Sequence, residues 1–162
     1  MKHISLIALA VALLPGLAMA ATSTGTGDAK AKIVQPVTVT STQDLNFGTM
    51  LGKANTVTVS SSGSRTATDN TALVTDSNTP TAGVFSVTGP NSQPITVTLP
   101  VNATVSSSTN SMTISNLNSP QSGSQTLDGT GNLTINIGGD LAVTEGQAVG
   151  DYTGSYTITV TY

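Results

Sequence analysis

Short runs in which an aliphatic or β-branched residue alternates with threonine, serine or asparagine recur along the chain: TVTVS at residues 56–60, ITVTL at 95–99, LTINI at 133–137 and YTITVTY at 156–162. Successive side chains of a strand point to opposite faces, so each run reads as a strand with one face to bury and one to leave in water. Threonine and serine together supply roughly 30% of the residues, well above ordinary usage. Valine, isoleucine and threonine have restricted χ1 rotation that suits a pleated surface better than a helix. No segment shows a convincing helical period.

The longest alternation closes the sequence. In residues 150–162, GDYTGSYTITVTY, one parity holds Tyr152, Gly154, Tyr156, Ile158, Val160 and Tyr162, and the other holds Thr153, Ser155, Thr157, Thr159 and Thr161. The pattern predicts one terminal core strand whose bulky residues each contribute roughly 1.5–3 kcal/mol if buried. On that reading Tyr162→Ala costs about 3–5 kcal/mol.

Elsewhere the same rule predicts eight to ten short strands. From residue 29 a long extended segment places Ala29, Ala31, Ile33, Val37 and Val39 on one face, and the parity continues to Leu45 and Phe47 of DLNFG. Pro36 cannot donate a ladder hydrogen bond, so it belongs at an edge, a bulge or a change of partner. Gly48 permits a tight bend. Residues 65–74 read weakly as a strand interrupted at Asp69-Asn70, while 84–88 and 95–99 are clean strands. Residues 101–105 and 112–117 read as a local pair, and 118–132 as loop and turn. The segments 133–137 and 141–143 are separated by Gly138-Gly139. The sum is an all-β chain, either a sandwich or a partly open barrel.

The amino terminus begins with a short basic head, an apolar run over residues 4–14, a Pro15-Gly16 break and then Ala18-Met19-Ala20. This is the layout of a secretory signal peptide cleaved after Ala20, with small residues at Ala18 and Ala20. The apolar run is too short to anchor the chain stably in a bilayer. The expected organisation is a signal peptide at 1–20, a flexible lead-in at 21–28 and a single domain at 29–162. The expected location is the periplasm, the cell surface or the medium.

Cleavage removes His3 and Lys2, leaving no histidine, no cysteine and only Lys30, Lys32, Lys53 and Arg65 as cations. Seven aspartates and Glu145 oppose them, so the mature chain is acidic and sparsely charged, a poor match for nucleic acid or an anionic membrane. Serine and threonine nucleophiles need a base that this chain scarcely offers. The acidic residues are dispersed and mostly sit beside glycine or asparagine, where turns explain them. Zinc and other transition metals lack histidine and cysteine ligands. The run Asp128, Thr130, Asn132 offers oxygens to calcium but lacks the charge count and terminal glutamate of a loop site. Most aromatics fall on predicted inward faces, leaving little for a sugar-stacking platform. No enzyme activity and no cofactor are expected.

The segment KIVQPVTVTSTQDLNFGTM, the strands VFSVTG and ITVTLP, and the ending GDYTGSYTITVTY resemble a bacterial secreted family described only as a domain of unknown function. More distantly they are similar to spore-coat-U-like and chaperone–usher pilus subunits. The marks are Leu45, Phe47 and Gly48 together with Gly150, Tyr152, Gly154, Tyr156, Val160 and Tyr162. The resemblance implies an immunoglobulin-like, pilin-like β-sandwich whose sheet lacks a strand. It implies that a periplasmic chaperone and then the amino-terminal extension of another subunit fill the gap, as in fimbrial assembly and adhesion. Tyr152, Tyr156, Ile158, Val160 and Tyr162 would then line the acceptor groove, and Ala29, Ala31 and Ile33 would be the donor residues. The alternative is a self-contained secreted binding module whose own amino-terminal strand closes the sheet. Pairing of residues 29–39 along the terminal strand would mark that alternative, because it leaves no gap.

Overall fold

The computed structural model describes residues 21–162, so the predicted signal segment with Ala18 and Ala20 lies outside the described residues. The chain divides into two units, Met1–Lys32 and Ile33–Tyr162. Residues 21–32 of the first are exposed and form no strand. In the second, the strands are β1 (Thr38–Gln43), β2 (Thr49–Met50), β3 (Asn55–Val59), β4 (Arg65–Ala67), β5 (Leu73–Val74), β6 (Gly83–Thr88) and β7 (Pro94–Thr98). They continue with β8 (Asn102–Ser107), β9 (Asn110–Asn118), β10 (Gly123–Thr126), β11 (Asn132–Val143), β12 (Thr153–Ser155) and β13 (Thr159–Thr161). The interruption expected at Asp69-Asn70 is a 3₁₀ turn, Asn70–Ala72, capped by the Asp69 side chain.

An eight-stranded sheet runs in the order β1-β6-β11-β9-β8-β12, with β3 joined to β11 and β4 to β3. A three-stranded sheet, β10-β7-β13, and a two-stranded one, β2-β5, complete the domain. All pairings are antiparallel. One core of buried residues joins the large and the three-stranded sheets, drawing Val57, Val87 and Ile135 from one and Ile95 and Val97 from the other. Two antiparallel sheets sharing one apolar interior form a β-sandwich, as the alternation predicts.

β11 organises the large sheet. Its first half pairs with β6, its second half with β3, and β9 lies along the region from Gly138 to Ala142. The sequence pattern predicts two strands separated at Gly138-Gly139; instead one strand runs through, with a register shift between Gly138 and Asp140. The glycines are there for close approach. A Cβ on Gly138 would lie 2.5 Å from the Val59 carbonyl oxygen, and one on Gly139 would lie 3.2 Å from the Leu117 side chain.

Two further expectations change. Residues 123–126, read as loop, form β10 and pair with β7; GSQT has too little apolar alternation to announce a strand. The extended segment from residue 29 becomes a strand only at Thr38, after Pro36, and every residue from 21 to 36 is exposed. β1 pairs with β6, setting Val39 opposite Val87, and does not run along the terminal strand.

Candidate functional site

Residues 150–162 do not form one strand. β12 pairs with β8 in the large sheet, and β13 pairs with β7 in the small one. Tyr156, Thr157 and Ile158 therefore carry the chain across the sandwich, the way a corner is made when a strand changes sheet. The parity survives this crossing for Tyr156, Ile158 and Val160, which pack against the same core. Ile158 is buried and Val160 is half-buried opposite Val97, whereas Tyr162 is 61% exposed. The expectation that Tyr162 is a core residue is corrected accordingly. β13 has β7 on one side and no strand on the other, so nothing closes over its last residue.

Tyr156 anchors the crossing. Its ring meets Phe85 edge-on, with centroids 5.8 Å apart and planes at 73°. It packs over Gly83, where Leu45 also approaches, so the DLNFG motif and the terminal stretch do meet in space. Burial of its hydroxyl, assisted by the negative charge of Asp44, pushes the phenol up to about 12. Tyr152 is half-buried and held by its own loop: its hydroxyl donates to the Ala148 carbonyl at 2.8 Å and accepts from Gln147 Nε2 at 2.8 Å.

Around Gly48 the structure holds a contact that the sequence motif does not reveal. Gly48 adopts φ +72, and its amide donates to Asn46 Oδ1 at 2.8 Å. Against it lies the Arg65 guanidinium, which donates to the carbonyls of Phe47, Thr49 and Val74, each at 3.1 Å. The arginine thus ties β4 to both strands of the two-stranded sheet. Phe47 is buried and Leu45 half-buried. A single arginine in a weakly patterned run, RTATDNTALV, gives no sequence signal for this clamp.

The residues expected to act as donor, Ala29, Ala31 and Ile33, lie in no strand; Ile33 is 97% exposed and Val34 58%. Several strands have a neighbour on one side only, among them β13, three residues long, and β1 at the end of the large sheet. Val39 on β1 is 37% exposed although its cross-strand partner Val87 is fully buried. A missing neighbour exposes such an inward-facing side chain.

Three of the acidic residues, Asp69, Asp76 and Asp128, brace turns, whereas Asp140 on β11 accepts from the Thr58 hydroxyl and the Asn116 side-chain amide. Asp128 Oδ1 accepts from the amides of Thr130 and Asn132 at 2.8 and 2.9 Å and from the Thr130 hydroxyl at 2.7 Å. These donors hold its carboxyl below the usual range. Oδ1 is thereby committed to the turn. Asp69 is lowered in the same way by the hydroxyl and amide of Thr71. Among the described residues no three histidine, cysteine, aspartate or glutamate side chains gather to hold a metal ion, and no helix is long and apolar enough to cross a membrane.

A β-sandwich with unpaired edges and turn-bound carboxylates is the class of protein defined by this geometry. Residues 37–162 match the family described as a domain of unknown function (DUF4402), and the chain belongs to that family. Neither a curated protein nor a solved structure matches it.

Proposed function

We propose that the chain is an exported, non-enzymatic structural or adhesive surface protein. Its subunits associate when an amino-terminal segment of one copy adds as a strand to an open sheet edge of the next. The observation that carries this reading is the pairing of β1. It lies against β6, so the outer edge of β13 is unpaired while residues 21–37 form no strand of their own. An open edge offers a row of backbone donors and acceptors, and alternate side chains of an added strand reach the interior beside it. The likeness to chaperone–usher pilus and spore-coat-U-like subunits points the same way, with a periplasmic chaperone covering the edge before assembly. Export rests on the signal-like residues 1–20. The absence of enzyme activity rests on a mature chain without histidine or cysteine.

The test compares residues 21–162 with residues 35–162, both purified under native conditions. The longer chain forms multimers that survive SDS but not boiling, and the shorter one does not. Monomers in both preparations would sink strand addition.

A further inference from the structure

Of the strands with a neighbour on one side only among the described residues, β1 is the longest, six residues against four in β10 and three in β4, β12 and β13. Free edges are usually blunted by charge, proline or a bulge. Every residue of β1 is exposed, and TVTSTQ holds no charge, no proline and no glycine. Its one irregularity, between Ser41 and Gln43, lies at the far end. In an antiparallel ladder each residue turns its N–H and C=O to the same neighbour, and successive residues alternate. Gly89 donates to the Gly131 carbonyl at 2.8 Å, so Val87 and Phe85 also turn towards β11, while Thr88 and Ser86 turn towards β1. Their partners Thr38 and Thr40 answer them, which leaves the backbone groups of Val39 and Ser41, and of Val37 by continuation, pointing away from the sheet. Pro36 falls on the β6 side, where the register sets it opposite Pro90; neither can donate, and the ladder begins at Thr38. The proline therefore leaves the outer edge intact.

We infer that β1 pairs antiparallel with β1 of a second copy across a two-fold axis, joining the two large sheets into one. Such a contact is isologous, the same edge serving both copies. Only residues with outward backbone groups can exchange hydrogen bonds, so Val39 meets Val39 of the second copy on the axis and Val37 meets Ser41. Val39 turns its side chain inward beside Val87 yet stays partly exposed, and the second valine covers it. Charge selects the direction. Lys30 and Lys32 precede β1 and Asp44 follows it. Antiparallel pairing sends the lysines of each copy towards Asp44 of the other, whereas parallel pairing would align like charges with like. Strand addition beside β13 uses another edge in another sheet, so this contact stands or falls separately from it.

The experiment uses residues 35–162, which lack the segment proposed to add to β13 and retain the whole core, since no core residue precedes Val37. Sedimentation equilibrium between about 1 μM and 1 mM, the range suited to a small interface, is expected to show a reversible monomer–dimer equilibrium. Val39→Lys sets two like charges on the axis and weakens the dimer at least about tenfold. Val149→Lys, at a fully exposed valine in the loop before β12, leaves it unchanged. Urea unfolding checks that both variants keep the fold. A second readout leaves the edge neutral. The chain has no cysteine, so Val39→Cys supplies one thiol per copy, and the two Cα atoms of a hydrogen-bonded pair lie about 5.5 Å apart, a separation that a disulfide spans. Mild oxidation should link the copies through Cys at 39 and not through Thr113→Cys, exposed on β9 of the same sheet. A monomer throughout the concentration range overturns the inference, as does a dimer that a folded Val39→Lys leaves intact or that Val39→Cys fails to cross-link.

Discussion

Two residues in this domain carry more than their sequence context announces. Arg65 makes three hydrogen bonds to carbonyls that belong to or flank the two strands of the smallest sheet. β2 and β5 have only two residues each, too little ladder to persist alone. The guanidinium fork supplies what the ladder lacks, and a lysine could not reach three acceptors in that geometry. Arg65→Ala is expected to cost about 2–4 kcal/mol in urea unfolding, with Arg65→Lys restoring only part of it. Tyr156 sets the alkaline limit. Its folded value, about 12, lies above the ordinary 10.0, so the native state holds the phenolic proton more tightly than the unfolded chain does. The resulting stability is complete below pH 10 and is lost as pH rises towards 12. Absorbance of tyrosinate should show one ionisation step near pH 12 that Tyr156→Phe removes.

At the scale of elements, the carboxyl-terminal stretch shows both what alternation reveals and what it hides. Period-2 parity identifies the interior side of the crossing and β13, because Tyr156, Ile158 and Val160 pack against one core, whereas β12 is exposed throughout. It cannot report a change of partner, since a strand that switches sheets keeps the same side inward. The same limit explains β11, where Gly138-Gly139 reads as a break although the chain continues, and β10, where GSQT forms a strand through the ladder of β7. The fold class was legible because β-branched residues and threonine alternate across the whole chain. Sheet edges were not, because edge exposure depends on a neighbour that local sequence does not encode. Ile158 and Tyr162 separate these two kinds of knowledge. Ile158, buried in the crossing, should cost about 2–5 kcal/mol when changed to alanine. Tyr162 shares its parity but is 61% exposed, so Tyr162→Ala should cost less than about 1 kcal/mol in the same urea titration. Equal losses would place both side chains in one core strand after all.

For the molecule as a whole, the open edge and the unpaired leading segment pose a single energetic question. The core is continuous across both sheets, and no buried side-chain polar atom lacks a partner among the described residues. The domain is therefore expected to fold without residues 21–34, none of which is buried. What the edge of β13 lacks is a neighbour, and a neighbour bound only to the native state stabilises it by mass action. A synthetic peptide of residues 27–37 provides the apolar side chains Ile33, Val34 and Val37 together with Lys30 and Lys32, which outnumber its one acidic residue, Asp28. The domain from residue 37 onward holds Lys53 and Arg65 against six aspartates and Glu145, so the lysines of the peptide approach an acidic body. At a hundredfold excess over its dissociation constant the peptide should add about 2.7 kcal/mol, and a domain of this size should then melt roughly 5–15 °C higher. Ile33→Asp in the peptide should abolish the shift, because an unpaired carboxylate would have to enter the apolar interior beside Val160. Raised salt should weaken the native peptide moderately and leave the contrast between the two peptides intact. If both peptides shift the melting temperature equally, the gain is electrostatic and the edge is not an acceptor.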